Sequence, residues 1–155
     1  FQEAGVKVDP ALLKTGGFHP DSGYQLAKEL LAAETKPTAV FVGSGRLSRG
    51  AYQAFQEMGL RIPEQLSLVT FDDTEWTTLV TPPLTTVSQD TYKMGQMAAE
   101  ILLARIKKRN ESLALWPEDE VPEPEEPPFQ RHKLEPRLIV RSSTSPLQQV
   151  GKGGE

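Results

Sequence analysis

The residue with the clearest chemical use in this sequence is Asp72, which directly follows the apolar run 66–71. A carboxylate can accept several hydrogen bonds from hydroxyl or amine groups, so it suits recognition of a sugar or a nucleoside. In open parallel sheets ligands bind beyond the carboxyl ends of the strands, and Asp72 would stand at such an end. The alternative is that Asp72 only caps the following turn, where aspartate is also favoured.

Four further residues are candidates for the same site. Ser44 and Gly45 follow the other apolar run, 38–43. Serine offers one short hydroxyl and glycine no side chain, so this strand end has little capacity for polar contacts. Phe18 could stack its ring on a sugar or a base, or it could be a core residue beneath the next helix. Trp76 could line the mouth of a cleft or pack at a subunit interface.

No set of residues in the sequence indicates catalysis or a bound metal. The string Gly43-Ser44-Gly45 lacks the spacing of a nucleophile elbow and has no assignable histidine partner, and it lacks the Lys-Ser/Thr ending of a phosphate loop. His19 and His132 are far apart, and neither has a neighbour at metal-ligand spacing, so both are expected at the surface. Cysteine is absent, which excludes disulfides and thiolate metal sites. We expect a protein that is not an enzyme and needs no cofactor.

The elements that position these residues alternate between helices and strands. The two apolar runs are rich in β-branched and aromatic residues, which predicts strands buried on both faces. A strand, a helix and a strand without a hairpin signal predict a parallel crossover. Pro20 suits the first turn of a helix, and Gly59 stands where a left-handed cap is expected. The predicted strands are 38–43, 66–71 and 138–141; the predicted helices are 21–34, 47–58 and one capped by Asp90 or Thr91 that includes 94–106; residues 72–83 are predicted as a loop.

The composition separates a folded part from polar segments. Residues 117–128 contain five prolines and six acids with only Val121 to bury, so we expect a solvated insertion within 111–133, and a flexible tail at 147–155. Without those six acids, 17 basic residues stand against 15 acidic ones, and no basic face suited to DNA is evident.

No apolar run approaches the ~20 residues that cross a bilayer, and no signal-peptide pattern is present. We expect a cytoplasmic protein, and the start at Phe1 indicates a fragment.

Several motifs stand in a recognisable order: PTAVFVG from residue 37, GL at 59–60, FDD at 71–73 and TPPLTTV at 81–87, followed by a helix. GGFHPDSGY lies upstream of them and PRLIVRSST downstream. Together they resemble the lactose-repressor (LacI/GalR) family of bacterial transcriptional regulators over about residues 1–146. The resemblance implies an α/β fold of the type I periplasmic-binding-protein-like kind, with a doubly wound, mostly parallel sheet. The chain would be the C-terminal subdomain only.

The resemblance also assigns roles to single residues. Asp72 matches the carboxylate that binds the effector in this family, and Phe18 matches the aromatic position that stacks on it. Asp73 would point away from the cleft. Most relatives carry Asn-Asp where this chain has Ser44-Gly45, which weakens the expectation of a polyhydroxylated effector and leaves open a bulkier ligand, a different ligand class or a site that no longer binds a ligand.

A partner surface and a function follow from the same resemblance. Arg49 stands at a helix position that in relatives is commonly apolar and faces a second subunit, so either the interface differs, or Arg49 pairs with an acid there, or it is a solvent-exposed arginine. The chain would be the effector-sensing part of a homodimeric repressor that binds a sugar or nucleoside-like molecule between subdomains. DNA would be bound by an N-terminal domain outside this chain. A solute-binding protein of a transporter shares the fold and is the alternative, and an enzyme on a Rossmann-like sheet is disfavoured by the missing catalytic set.

Overall fold

The computed structural model describes residues 3–113 and 131–146 of the 155-residue chain. A short 3-10 turn at Pro10–Leu12 precedes eight elements: α1 Pro20–Ala32, β1 Ala39–Val42, α2 Gly45–Glu57, β2 Ser67–Phe71, α3 Trp76–Leu79, β3 Thr85–Ser88, α4 Thr91–Leu113 and β4 Arg137–Ile139. The proline-rich run 117–128 and the tail 147–155 lie outside the described residues. Because α4 extends to Leu113, residues 111–113 of the predicted insertion are helical.

The four strands form one mostly parallel sheet in the order β1-β2-β3-β4. The pairs β1–β2 and β2–β3 are parallel, with Val40 opposite Leu68 and Thr70 opposite Thr86. The pair β3–β4 is antiparallel. The strand-helix-strand segment is therefore the predicted parallel crossover, and the carboxyl ends of β1 and β2 meet at one edge of the sheet.

The chain divides into two compact units, Phe1–Ser88 with Arg137–Glu155 and Gln89–Pro136. The first unit holds the sheet with α1, α2 and α3. The second contains α4, the helix predicted from the stripe at 94–106. Asp90 caps α4, because its Oδ1 accepts a hydrogen bond from the backbone N of Lys93 at 2.9 Å, which decides between the two predicted caps.

The core of the first unit lies between the helix pair α1–α2 and the sheet. Its buried members are Ala27, Ala51, Ala54, Phe55, Ile62, Leu66, Leu68 and Leu84. The two helices approach each other at Gly23 and Gly50, where a Cβ would overlap backbone atoms of the facing helix. Gly59 has φ +70°, so the predicted left-handed cap ends α2.

Several predicted elements differ from those observed. Phe41 in β1 is 59% exposed, so burial on both faces is wrong for this strand. Val40 and Val42 face the core beneath α1 and α2, whereas Phe41 lies on the opposite face of the strand. In β2 only alternate residues are fully buried. The predicted loop 72–83 contains the one-turn helix α3, and β3 was not predicted at all. Helix α1 ends two residues earlier than expected, at Ala32.

Candidate functional site

The chain turns sharply at Asp72, directly after β2. Asp72 has φ +69°, in the left-handed region that aspartate tolerates better than most non-glycine residues. Its backbone N donates to the carbonyl of Val87 in β3 at 2.9 Å, and its own carbonyl accepts from the backbone N of Thr74 at 3.1 Å. These bonds fix where the side chain leaves the sheet edge.

The carboxylate of Asp72 reaches across to the start of α2. Its Oδ2 accepts a hydrogen bond from the backbone N of Gly45 at 3.3 Å. A Cβ on Gly45 would lie 3.2 Å from the Cβ of Asp72 and 3.4 Å from the carbonyl oxygen of Phe71, so a larger residue would have to displace these atoms. The side chain thus links the ends of β1 and β2, which is more than capping its own turn.

A surface depression of ≈ 450 Å³ surrounds this contact. It is lined by Pro20, Gly45, Arg46, Arg49, Asp72, Thr74 and Trp76. Three of the sequence-predicted site residues, Gly45, Asp72 and Trp76, therefore come together. Phe18 and Ser44 are not among the lining residues. A second depression of ≈ 600 Å³ lies beside α1 and β1 and has a mainly apolar lining.

Trp76 is held in place by contacts with α2. It is the first residue of α3, is half-buried, and its ring centroid lies 6.1 Å from that of Tyr52. The Tyr52 hydroxyl donates to the carbonyl of Thr81 at 2.9 Å. Burial raises the pKa of Tyr52, and the bond to Thr81 only partly offsets this, so the hydroxyl stays protonated as a donor. These contacts fix the position of Trp76, the aromatic residue that lines the depression.

Phe18 and Ser44 occupy different surroundings. Phe18 is 68% exposed in the segment before α1, so the interpretation of this ring as a core residue is wrong. Ser44 is the N-cap residue of α2, but its side chain makes no capping hydrogen bond. Its carbonyl instead accepts from the backbone N and the Oγ of Ser48, at 2.9 and 2.7 Å.

Asp73 faces a different set of partners from Asp72. Its Oδ1 accepts from Arg141 Nη2 at 2.7 Å, from Thr86 Oγ1 at 3.1 Å and from Thr77 Oγ1 at 3.2 Å. Burial raises the pKa of Asp73, but these donors and the charge of Arg141 outweigh it, so the pKa lies below its ordinary value. Asp73 does not line the depression, in agreement with its expected orientation, and instead ties the turn after β2 to β3 and to the segment after β4.

The sequence places Arg46 and Thr74 within the two strand-end segments where ligand contacts are expected, 43–46 and 72–75, but gives neither a role, and it leaves Arg49 as a subunit contact or a solvent-exposed residue. The available signal was the spacing: Arg46 and Arg49 are three residues apart at the start of a helix that follows a strand end, so they share a face. Among the described residues, no group of three or more His, Asp or Glu side chains could hold a metal ion. In that same part of the chain no helix has the length and apolar character needed to cross a membrane.

A mostly parallel open sheet with a depression at the carboxyl ends of its strands is typical of doubly wound α/β ligand-binding domains. The family model described as a periplasmic binding protein-like domain matches residues 1–144. The chain belongs to the lactose-repressor (LacI/GalR) family within this class. The resemblance seen in the sequence and the predicted fold class are thereby confirmed.

Individual relatives support this assignment. The chain is 40% identical over 148 residues to the ribose operon repressor of Haemophilus influenzae, covering 96% of the chain and 40% of that protein. It is 37% identical over 143 residues to the HTH-type transcriptional repressor PurR of Pasteurella multocida, covering 92% and 38%. A solved transcriptional regulator CelR–cellobiose complex is 32% identical, with a TM-score of 0.73, and the match covers 92% of the chain and 38% of that protein. The chain spans about 40% of the length of the curated relatives it matches.

Proposed function

We propose that this chain is the effector-sensing part of a LacI-type transcriptional repressor, and that the effector binds at the depression beside Asp72. The observation that carries the proposal is the meeting of Asp72, Gly45 and Trp76 at the joined ends of β1 and β2. A carboxylate that can accept hydroxyl hydrogens stands there next to a fixed aromatic ring. This combination suits a ring-shaped, hydroxylated small molecule.

The names of the relatives support the class of ligand. One relative is a ribose operon repressor and another is a regulator solved with cellobiose. We therefore propose a sugar or a nucleoside-like molecule as effector. Phe18 remains part of the proposed site, since its exposed ring is available to stack on a ligand, and Ser44 could add one hydroxyl. The opposite wall of the cleft would come from a second subdomain.

The proposed mechanism is coupling between two binding events. An effector held between two subdomains favours the arrangement that it binds more tightly, and in a homodimer this changes the spacing of two DNA-binding heads. DNA contact, dimer formation and a cytoplasmic location are properties proposed for the full-length gene product. Nothing in this mechanism requires catalysis.

The decisive test uses the full-length gene product and genomic DNA. Footprinting should reveal a specific site whose occupancy changes when ribose, cellobiose or a purine nucleoside is added, because the effector shifts the protein between two states with different DNA affinity. Ligand binding without any specific footprint would instead favour a solute-binding protein.

Replacing Asp72 by alanine should weaken effector binding in the full-length gene product. The lost charge-assisted hydrogen bonds correspond to about 1.5 to 3 kcal/mol, or roughly a tenfold to hundredfold increase in Kd. Titration calorimetry with the sugar or nucleoside that alters the footprint measures this effect. Because Asp72 already occupies a left-handed turn position, the glycine variant Asp72→Gly separates loss of the carboxylate from strain in the turn.

The matched control is Glu29→Ala, which removes an exposed carboxylate from α1 outside the depression. Its Kd should equal that of the unaltered protein. If Asp72→Ala and Asp72→Gly both bind the effector normally, the proposed site is wrong.

A further inference from the structure

The second depression, beside α1 and β1, is large and mainly apolar. Its volume is ≈ 600 Å³. This is about twenty times the ~30 Å³ that one water molecule occupies in the liquid. An extended apolar surface that stays in contact with water costs free energy, and on a folded protein it usually marks a place where another group packs. An apolar occupant of this depression would therefore be stabilised.

Helix α1 directs one of its faces at this depression. Four of its residues line the depression with the i, i+3, i+4, i+7 spacing of a single helix face: Gly23, Leu26, Ala27 and Leu30. In layered α/β domains a helix buries such a face against the sheet. Here α1 packs mainly against α2 and has few contacts with the strands. Within the part of the chain that the structure describes, the position beneath α1 is therefore not filled by a strand.

Strand β1 lines the depression along its whole length, Ala39–Val42. Among the described residues β1 pairs with β2 alone, so its other edge is open. The carbonyl of Thr38 accepts from the backbone N of Ser67 at 2.9 Å. Because backbone groups alternate between the two edges of a strand, those of Ala39 and Phe41 point to the open edge. Such a row of donors and acceptors is a template for pairing with another strand.

The opposite wall of the depression is the chain before α1. Its apolar members are Val6, Val8, Leu12 and Leu13, and Leu13 is 60% exposed. An extended segment between this wall and β1 would bury these side chains and pair with the open edge at the same time. About four to six residues would match the length of β1, since a strand rises ~3.3 Å per residue. A small apolar ligand would fill the space but leave the backbone groups of β1 unpaired.

The occupant can come from the rest of the gene product. The chain spans about 40% of the length of its curated relatives, so more than half of a protein of that size lies outside residues 1–155. We propose that an apolar β-strand from that part fills the depression, paired with the open edge of β1 and packed beneath α1. Because β1 leads into Ser44 and Gly45, this strand also supports one end of the candidate effector site. The proposal requires the full-length gene product but does not depend on which effector it binds.

Thiol labelling of the full-length gene product tests whether the depression is filled. The cysteine of Leu13→Cys should react with a maleimide at least about a hundredfold more slowly than that of Met58→Cys, because only local opening would expose it. Mass spectrometry of the labelled peptides measures both rates. Met58→Cys is the matched control, since Met58 is 48% exposed and lies outside both depressions. Equal labelling rates at the two positions would overturn the proposal.

Hydrogen exchange of the same protein tests whether the occupant is a strand. The amides of Ala39 and Phe41 should exchange about as slowly as the amide of Leu68, which donates to the carbonyl of Ser143 at 2.7 Å within the first unit. Slow labelling of Leu13→Cys together with fast exchange at Ala39 and Phe41 would indicate a small apolar ligand. That result would also overturn the proposal.

Photo-crosslinking identifies which segment is bound. In the full-length gene product, Leu13→p-benzoylphenylalanine should form a crosslink within one copy to an apolar segment outside residues 1–155, and peptide mass spectrometry locates that segment. A crosslink to a second copy, visible as a band of twice the mass, would overturn the proposal. A crosslink confined to residues 1–155 would do so as well. Footprinting on DNA is a separate measurement, so either result leaves the test of the proposed function intact.

Discussion

Replacing Gly50 by alanine should lower the free energy of unfolding by about 3 kcal/mol or more, the upper end of the usual cost of overpacking. The added Cβ would overlap the carbonyl oxygen of Pro20 and lie 2.6 Å from its carbonyl carbon and 2.8 Å from the backbone N of Tyr24. These are backbone atoms of α1, which no rotamer change can move aside. The helices must therefore separate, and buried residues between them would lose contacts. Urea unfolding followed by circular dichroism measures the effect.

Gly23 and Gly95 provide the controls for this effect. A Cβ on Gly23 would overlap the carbonyl of Leu47, so Gly23→Ala should cost a similar amount. The double variant should cost less than the sum, because one separation of the helices relieves both overlaps. Gly95 is also helical but a Cβ there would meet nothing within 4 Å, so Gly95→Ala should stabilise by about 0.5 to 1 kcal/mol. If Gly50→Ala unfolded at the same urea concentration as the unaltered protein, the close approach of α1 and α2 at Gly50 would be contradicted.

The same contact has a consequence for the candidate site. Pro20, whose carbonyl faces Gly50, lines the depression together with Arg46 and Arg49 from α2. The distance between α1 and α2 therefore sets the width of the depression. Any Gly50 variant that still folds should bind ligand more weakly, although Gly50 itself does not line the site.

The helices of this chain could be predicted because their signals are local. Pro20, Gly59 and the cap of α4 act within one turn of a helix end; Pro20 and Gly59 were placed correctly from residue type, whereas the cap of α4 was narrowed to Asp90 or Thr91. The crossover from β1 to β2 was predicted because the connection contains a helix. Burial of β1 was predicted wrongly because a short apolar run does not reveal whether both faces of a strand are covered.

Strand β3 was not predicted although threonine and valine favour strands, because its four residues form no apolar run. It consists of Thr85, Thr86, Val87 and Ser88, and its two threonines are fully or almost fully buried. Buried threonines need hydrogen-bond partners, and here the partners come from distant parts of the chain. Thr85 contacts Arg141, and Thr86 donates to Asp73. No sequence window contains both members of such pairs, so an apolar pattern does not arise.

The residues of the candidate site also differ in whether the sequence alone could predict them. Asp72 was found because the strand-end rule needs only the position of β2 in the sequence. Arg46 lies in the strand-end segment that the same rule selects, but it was given no role, because an exposed arginine in a helix gives no local sign of which surface it shares. Phe18 and Asp72 were expected in one site, yet the depression includes only Asp72 of the two. How an aromatic residue before α1 meets an acid after β2 depends on tertiary geometry that one sequence pattern cannot give.

Replacing Asp73 by asparagine should lower the free energy of unfolding by about 2 to 3 kcal/mol at neutral pH. This loss is smaller than the ~3 to 5 kcal/mol usual for breaking a fully buried ion pair, because the pair with Arg141 retains some solvent contact. The side chains of Asp73 and Arg141 are 22% and 18% exposed. The amide oxygen of asparagine can still accept from Arg141, as can the carbonyl of Leu84 and two threonine hydroxyls, so the substitution mainly removes the negative charge that faces the guanidinium. Urea unfolding is measured for Asp73→Asn, Arg141→Gln and the double variant. The coupling free energy from this cycle should be a large part of the stability lost in either single variant.

The pH dependence of this loss identifies the charge as its cause. Because the pKa of Asp73 is lowered by folding, its stabilisation is fully present above the unfolded-state value of about 3.9 and is lost as pH falls through the folded-state value. The stability difference between the unaltered protein and Asp73→Asn should therefore be constant from neutral pH to about pH 5 and shrink below about pH 4. Glu64→Gln, which alters an exposed acid before β2, should show no comparable difference at either pH. If the stability difference between the unaltered protein and Asp73→Asn stayed the same down to about pH 3, asparagine would be disturbing the packing of the turn. The ion pair with Arg141 would then not be what holds β2, β3 and the segment after β4 together.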